Sequence, residues 1–160
     1  MNSEDCIFCT IKNSERKLWQ NDSFFIFLDN FPVNPGHMLV VPINHTLSLL
    51  DLSDDAWMDL NKAIKHAHVI LEKLNLTEVY TQMLKTADNP KSQEYITTAL
   101  GQLERDNKPS GFNYGVNDGV SAGRTVHHLH WHIIPRYDND AADPRGGVRG
   151  VIPQRQNYRA

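Results

Sequence analysis

The sequence predicts an α+β domain, in which an antiparallel sheet packs against helices that are separate from it along the chain. Residues 16–28 have the pattern of a β-hairpin, with strands at 17–20 and 24–28 around an Asn-Asp turn. Residues 128–134 alternate histidine with apolar side chains, and a period of two indicates a strand. Residues 53–74 repeat apolar side chains every three or four positions, which predicts one long amphipathic helix.

The remaining elements follow from residues that cap or break regular structure. Ser53 is a good N-cap for the long helix, and acidic residues follow it in the first turn. Residues 77–85 predict a short helix and residues 92–105 a second one, with an Asn-Pro pair breaking the chain between them. Residues 112–116 predict the next strand.

Length, charge and the first residues indicate which classes of protein the sequence fits. At 160 residues the chain is long enough for one domain with a substantial core. Its formal net charge of −3 gives no general attraction to nucleic acid, so no nucleic-acid partner is expected. Residues 1–8 include no long apolar run, so neither a signal peptide nor a membrane span is expected. With two cysteines and no secretory signal, the prediction is a cytoplasmic protein without membrane partners.

Cys6 and Cys9 form a CxxC pair close to the start of the chain. Such a pair fits half of a zinc site, a redox pair or a disulfide. The redox arrangement normally lies beside a βαβ unit, a pattern that this sequence lacks. Two cysteines cannot complete a structural zinc site, so that interpretation needs two further ligands, for which histidines are the best candidates.

His128, His130 and His132 lie on one face of the predicted strand, opposite Leu129 and Trp131. The outer two histidines of such a row are about 13 Å apart. Three rings on one straight strand therefore converge poorly on a single metal ion, whose nitrogen ligands lie at about 2.0–2.1 Å. The spacing favours separate roles, with one imidazole as a nucleophile and its neighbours orienting it or holding a phosphate. A tri-histidine metalloenzyme is the competing interpretation.

The pattern His-x-His-x-His-x-x, with an apolar residue at each x, resembles the signature of the histidine triad superfamily of nucleotide hydrolases and transferases. Within residues 111–137 the resemblance also includes Asn117, Gly119, Gly123, Thr125, Val126 and the closing Ile134-Pro135-Arg136. Within residues 4–45, Leu28-Asp29 and the run from Pro35 to Pro42 resemble the end of the ribose-binding strand and the core strand that follows it. These motifs in this order are specific, whereas an isolated HxHxH would be a weak signal.

The resemblance implies a five-stranded antiparallel sheet in each subunit of a homodimer. It implies that His130 attacks the α-phosphorus of a purine nucleotide or dinucleoside polyphosphate, and that water then releases a nucleoside monophosphate from the nucleotidyl-histidine. His132 would donate to the phosphate oxygens, and the carbonyl oxygen of His128 or its neighbour would orient His130. His37 would belong to the hydrogen-bond network behind the triad. No catalytic metal is required, because the nucleophile is a histidine.

Other activities stay open within this resemblance. Hydrolysis of nucleoside phosphoramidates is one alternative, and nucleotidyl transfer to sugar phosphates is ranked last because the transferases are generally larger. A nucleotide-binding sensor without catalysis is an alternative of a different class. It would be expected to have a broken triad, and this triad is intact.

The resemblance assigns nucleotide contacts to Phe27, Asp29, Asn30, Asn117, Gly123, Arg124, Thr125 and Val126. Asp29 is expected to accept hydrogen bonds from ribose hydroxyls, although an Asp before a loop commonly caps the turn instead. Gly123 permits a positive φ and close approach of backbone N–H groups to a phosphate. Arg124 departs from the Gln that is more usual there, and its charge suits a polyphosphate.

Two further expectations come from the same resemblance. In zinc-bearing members a CxxC pair is completed by a histidine after the core strand and by the first triad histidine, which here gives the ligand set Cys6, Cys9, His45 and His128. The domain is expected to occupy residues 1–137, with a helical insertion at about 76–110 before the fourth strand. Residues 138–160 would form a C-terminal tail, in which residues 148–153 predict an edge strand.

Overall fold

A five-stranded antiparallel sheet lies at the centre of the computed structural model, which describes residues 5–104 and 108–156. The strands lie side by side in the order β1-β2-β3-β5-β4. Their bounds are Trp19–Gln20 for β1, Phe24–Leu28 for β2, Met38–Pro42 for β3, Gly111–Val116 for β4 and Trp131–Arg136 for β5. The predicted α+β class and the five-stranded antiparallel sheet are confirmed.

Four α-helices accompany the sheet in this part of the chain: α1 is Ile7–Ile11, α2 is Asp54–Lys73, α3 is Leu76–Thr86 and α4 is Pro90–Leu103. Helix α2 confirms the long amphipathic helix. The Ser53 Oγ accepts a hydrogen bond from the Ala56 N–H, which satisfies one of the unpaired donors at its start.

Helix α4 starts two residues earlier than the sequence predicts. Pro90 is its first residue, a position that proline tolerates because the N–H there has no partner within the helix. The Asn89 Oδ1 accepts hydrogen bonds from the N–H groups of Lys91 and Ser92 and so caps the helix. The predicted end of this helix at Arg105 lies outside the described residues.

The two faces of the sheet build two separate cores. Phe24, Ile26 and Leu28 of β2 point to the face that α2, α3 and α4 cover. Phe25 and Phe27 point to the other face, where they pack against apolar residues of α1. Because strands alternate their side chains, β2 is buried on both sides, and α1 defines the face on which the candidate site lies.

The predicted strand over residues 128–134 is wrong in its first half, because β5 begins only at Trp131. The Nε2 of His128 and the N–H of Leu129 instead form hydrogen bonds with carbonyl oxygens of Pro42 and of the segment after β3. These contacts keep the first residues of the run off the strand ladder. Of the three histidines, His132 alone lies on a regular strand.

The predicted edge strand over residues 148–153 is also wrong. Gly147–Val151 forms one 3₁₀ helix and Pro153–Arg155 another. Gly146 and Gly147 have φ values of 85° and 44°, a left-handed turn that starts a helix rather than an extended strand.

Of the helices in the described part of the chain, none is both long and apolar enough to cross a membrane. The homodimer, the division of the chain at residue 137, and the status of residues 76–110 as an insertion stay predictions. Residues 1–4 of the predicted domain and residues 157–160 of the predicted tail lie outside the described residues.

Candidate active site

Strand register brings the central site residues into one row. In antiparallel strands the residues that pair across the ladder point to the same face. Phe27 pairs with Leu39, Leu39 with His132, and His132 with Gly115. This row lies on the α1 face of the sheet, and its members Phe27, Leu39 and His132 form the floor of a cleft of about 340 Å³. The cleft is lined by Ile7, Phe8, Ile11, Arg16, Phe27, Asp29, Asn30, Phe31, Leu39, Thr125, Val126, His130 and His132.

The tautomer of the neutral His130 ring is fixed by a backbone partner. Its Nδ1 lies 2.8 Å from the carbonyl oxygen of His128, and a carbonyl can only accept, so Nδ1 carries the ring proton. The Nε2 of the neutral ring therefore holds a lone pair. The ring is 5% exposed and packs edge-on against Phe8 at a centroid distance of 5.1 Å. A buried imidazole with an unprotonated nitrogen in a cleft has the form of a nucleophile or a base.

His37 and His132 form a second chain of ring nitrogens. The Val33 N–H donates to the His37 Nδ1 at 3.3 Å, so the proton of the neutral His37 ring is on Nε2. That Nε2 donates to the His132 Nδ1 at 3.0 Å, which places the remaining His132 proton on Nε2. The His132 Nε2 is buried without a hydrogen-bond partner among the described residues. An unpaired buried N–H is costly, so this donor suits a ligand oxygen in the cleft.

Burial keeps both of these rings neutral. It lowers the pKa of His132 to about 4, and the neighbouring His37 and His130 lower it further. Burial also lowers the pKa of His37, against the opposing effect of Asp29, whose carboxylate lies 3.6 Å from the His37 Nδ1. At neutral pH the pair therefore acts through hydrogen bonds rather than through a charge.

Asp29 caps the turn that follows β2. Its Oδ1 accepts a hydrogen bond from the Phe31 N–H at 3.0 Å, which is the common structural use of an Asp before a loop. The carboxylate also lines the cleft, beside Asn30 and Phe31. The second carboxylate oxygen, Oδ2, lies 3.6 Å from the His37 Nδ1, at which the neutral ring carries no proton, so this oxygen can still accept from a ligand.

The segment from Asn117 to Val126 reaches the cleft only in part. Thr125 and Val126 line it. Asn117 lies on the far side of His132, and its side chain is near Gly123, which has a φ of 93°. The Arg124 Nη1 donates to the Leu47 carbonyl oxygen at 2.7 Å, so this side chain points away from the cleft. Contacts of these residues with a nucleotide stay predictions.

The sequence analysis missed Arg16 and the apolar residues of α1, which together form the outer part of the cleft. Arg16 precedes the first strand, and its guanidinium lies over the Phe27 ring at 5.7 Å. A basic residue before a hairpin carries no local sign that it faces a ligand, because the relation depends on the packing of α1 over β2.

Cys6, Cys9, His45 and His128 form a compact cluster beside α1. Their four donor atoms lie within 4.8 Å of one another. The sulfur–Nδ1 distances are 3.4 Å from Cys6 to His128, 3.5 Å from Cys9 to His45 and 3.6 Å from Cys9 to His128. Tetrahedral zinc with usual bond lengths holds sulfur and nitrogen ligands about 3.6 Å apart. These four residues can therefore hold a metal ion.

The ring of His128 is oriented as a metal ligand requires. Its Nε2 donates to the Pro42 carbonyl oxygen at 2.9 Å, which leaves the Nδ1 lone pair directed at the two sulfurs. Burial lowers the pKa of this imidazole to about 4, so it is neutral at physiological pH. The donor set of two thiols and two imidazoles is the kind that structural zinc sites use.

Comparison with known proteins identifies the family. The sequence model of the HIT (histidine triad) domain family matches residues 11–139. A Mycobacterium tuberculosis protein named AP-4-A phosphorylase is 32% identical over 133 residues, which cover 81% of this chain and 51% of that protein. An adenosine 5'-monophosphoramidase from Candida albicans is 30% identical over 138 residues, which cover 83% of this chain and 71% of that protein. The chain belongs to the HIT family.

Solved structures agree with this assignment. A histidine triad nucleotide-binding protein from Candida albicans is 25% identical to this chain, with a TM-score of 0.58 and coverage of 85% of this chain and 78% of that one. Several sequence relatives of similar identity are named only as uncharacterised HIT-like proteins. The fold and the family are thus shown, and the named relatives include enzymes that act on nucleotides.

Proposed function

We propose that this protein is a nucleotide hydrolase that cleaves at the α-phosphate of a dinucleoside polyphosphate or related nucleotide. The observation that carries the proposal is the hydrogen bond from the His130 Nδ1 to the His128 carbonyl oxygen, which leaves the His130 Nε2 unprotonated. This nitrogen would attack the α-phosphorus and expel the remainder of the substrate, forming a nucleotidyl-histidine. Water would then cleave the phosphorus–nitrogen bond and release a nucleoside monophosphate.

His132 would stabilise the charge that develops on the phosphate oxygens. Its Nε2–H has no partner among the described residues, and its orientation is fixed by the hydrogen bond from His37. A donor that is already in place and shielded from water stabilises a transition state at little reorganisation cost. In this scheme His37 is a positioning residue, because it acts through the ring of His132.

The nucleoside would occupy the outer part of the cleft. The apolar side chains of α1 and β2 provide flat surfaces for a base, and the free oxygen of Asp29 would accept from a ribose hydroxyl. Phe27 and Asn30 would border the base, and Thr125 and Val126 would lie along the α-phosphate. Asn117, Gly123 and Arg124 do not line the cleft, so their contacts would be with a part of the nucleotide that extends beyond it.

Two substrate classes compete for this site. Dinucleoside polyphosphates are supported by the phosphorylase named among the relatives, and phosphoramidates by the monophosphoramidase. Both reactions break a bond at the α-phosphorus, so His130 and His132 would serve either one. We favour polyphosphates and keep the phosphoramidate as the second candidate.

We further propose that Cys6, Cys9, His45 and His128 hold a structural zinc ion. Bound there, zinc would cross-link the start of the chain to the segment that carries the triad. The supporting observation is the match between the sulfur–nitrogen distances and tetrahedral geometry. His128 would then position His130 through its own carbonyl oxygen. No catalytic metal is needed for this scheme.

Product analysis by liquid chromatography tests the hydrolase. Wild type and His130→Ala are incubated with diadenosine tetraphosphate, its guanosine counterpart and adenosine phosphoramidate. We expect wild type to release the monophosphate and His130→Ala to be reduced at least a hundredfold, while His127→Ala, which changes an exposed neighbour, stays close to wild type. Full turnover by His130→Ala would overturn the mechanism, and binding without turnover by wild type would favour the sensor.

A further inference from the structure

Arg16 is a cation in the cleft that the proposed chemistry does not use. It precedes β1, the outermost strand on its side of the sheet, and its guanidinium lies over Phe27 of β2 at 5.7 Å. His132 lies two strands further on, and two strand spacings are about 10 Å. Arg16 therefore lies at the end of the cleft opposite the reaction centre, where a nucleoside bound at His130 would place its base.

The guanidinium is held in position rather than free to sample solvent. It is half-buried, and its Nη2 donates to the Asn30 Oδ1. Asn30 is in turn fixed by helix α4, because the Ser92 Oγ donates to the Asn30 carbonyl oxygen at 2.9 Å and Ser92 is only 3% exposed. Tyr95 of the same helix packs edge-on against Phe31 at 5.9 Å. Helix α4 therefore supports the wall of the cleft from which Arg16 is held.

Arg16 has donors to spare, although the charge of Asp29, which lines the same cleft, acts on its guanidinium. Within residues 5–104 and 108–156 it forms no ion pair, and one of its five N–H donors makes a hydrogen bond. The nearby side chains of Ile7, Phe8 and Ile11 are apolar and offer no acceptor, and Asp29 forms no ion pair with Arg16 within the described residues. A partly buried guanidinium in apolar surroundings needs acceptors from a ligand.

Purine bases differ at the edge that such a group would meet. Guanine and hypoxanthine present two acceptors, O6 and N7, with the spacing that a guanidinium fork contacts in bidentate fashion. Adenine presents N7 beside the N6 amino group, which is a donor and would face another donor.

We propose that Arg16 reads the base, and that the site prefers purine nucleotides with a carbonyl oxygen at C6 over adenine nucleotides. This inference rests on the proposed nucleotide site and adds its base specificity. A bidentate contact of this kind discriminates by roughly tenfold to a hundredfold.

The test is calorimetric binding of GMP, IMP and AMP, which carry the same phosphate and ribose. We expect GMP and IMP to bind wild type at least about tenfold more tightly than AMP. Arg16→Met should lower GMP and IMP binding to the AMP level and leave AMP binding almost unchanged. Arg16→Lys should lose most of the preference too, because an ammonium cannot make the fork. Lys17→Met, a neighbouring change outside the cleft, should keep the full preference.

Three results would overturn the proposal, and they are distinguishable. AMP binding equal to or tighter than GMP binding refutes base reading directly. Equal weakening of all three ligands by Arg16→Met, with an unchanged melting temperature, would assign Arg16 to the phosphate instead. Binding of none of the three by the folded wild type would remove the proposed nucleotide site and this inference with it, whereas unselective binding removes this inference alone.

Discussion

The three histidines of the triad have identical side chains, but their hydrogen-bond partners give each ring a different environment. The Nδ1 of His128 is directed at two sulfurs, and its carbonyl oxygen holds the proton of His130 on the inner nitrogen. His132 receives a hydrogen bond from His37 and so presents an N–H to the cleft. The alternation of histidines predicts that they act together. Which nitrogen of each ring carries the proton depends on contacts with β3 and the loop before it, and the alternation does not predict these contacts.

Because burial lowers the pKa of His132 to about 4, the protein should lose stability in mild acid. An unfolded histidine binds its proton near pH 6.5, so between pH 6.5 and 4 the unfolded state binds more protons than the folded one. The free energy of unfolding should therefore fall as the pH is lowered through this window, by roughly 1–3 kcal/mol for this ring. Urea titrations at pH 7.5, 6.0 and 5.0 measure this free energy of unfolding.

His132→Gln should make this pH dependence shallower but not abolish it, because burial also lowers the pKa values of His128 and His37. His127→Gln, in an exposed position, should leave it as in wild type. An equal slope in all three proteins would contradict the assignment of the slope to His132.

At the scale of elements, the sequence predicts the structure within a segment better than it predicts the contacts between segments. Helix α2 and strand β2 lie where their spacing and capping place them, because those signals are within each segment. Strand β5 starts late because Pro42, at the end of β3, and Thr46, beyond it, form hydrogen bonds with the first part of the histidine run. The outer cleft was missed because Arg16 comes to lie in it only when α1 packs over β2 and α4 holds Asn30.

Asp140 ties the end of β5 to the loop between β2 and β3. Its carboxylate accepts hydrogen bonds from the Arg136 guanidinium, the Asn34 amide and the Tyr137 N–H. The hydrogen bonds from Arg136 are the main cause that lowers the pKa of Asp140 to about 2. Asp140→Asn should therefore cost about 2 kcal/mol at pH 7.

The direction of the Asp140 pKa shift determines the pH range in which this carboxylate stabilises the fold. The folded carboxyl has the lower pKa, so its contribution is present above pH 4 and is lost as the pH falls towards 2. Denaturant titrations should show Asp140→Asn converging with wild type at low pH. Asp138→Asn, an exposed change nearby, should match wild type throughout, and a cost for Asp140→Asn that is the same at pH 7 and pH 2.5 would refute the account.

At the scale of the whole molecule, the proposed zinc joins the start of the chain to the active site. Helix α1 is short, so its position depends on the cluster at Cys6 and Cys9 and on the packing of Phe8 and Ile11. Through the carbonyl oxygen of His128 the same cluster bears on the orientation and the tautomer of the His130 ring. Loss of the metal would therefore lower both the stability of the fold and the proposed activity.

Cys9→Ser should abolish stoichiometric zinc and lower the melting temperature by more than about 5 °C. Metal content by mass spectrometry and thermal unfolding measure both effects on the purified protein. Asn13→Ser, an exposed change just after α1, is the control and should keep zinc and stability. Wild type that purifies without zinc, and gains no stability when zinc is added, would contradict the zinc proposal.

The most direct test of the central claim is the stereochemical course of the reaction at phosphorus. The substrate carries a chiral thiophosphate at the α-position, and hydrolysis is carried out in isotopically labelled water. Attack by His130 followed by attack by water inverts the phosphorus twice, so the account predicts overall retention of configuration. Inversion would mean that water attacks the substrate directly, and it would contradict the proposal that His130 is a nucleophile.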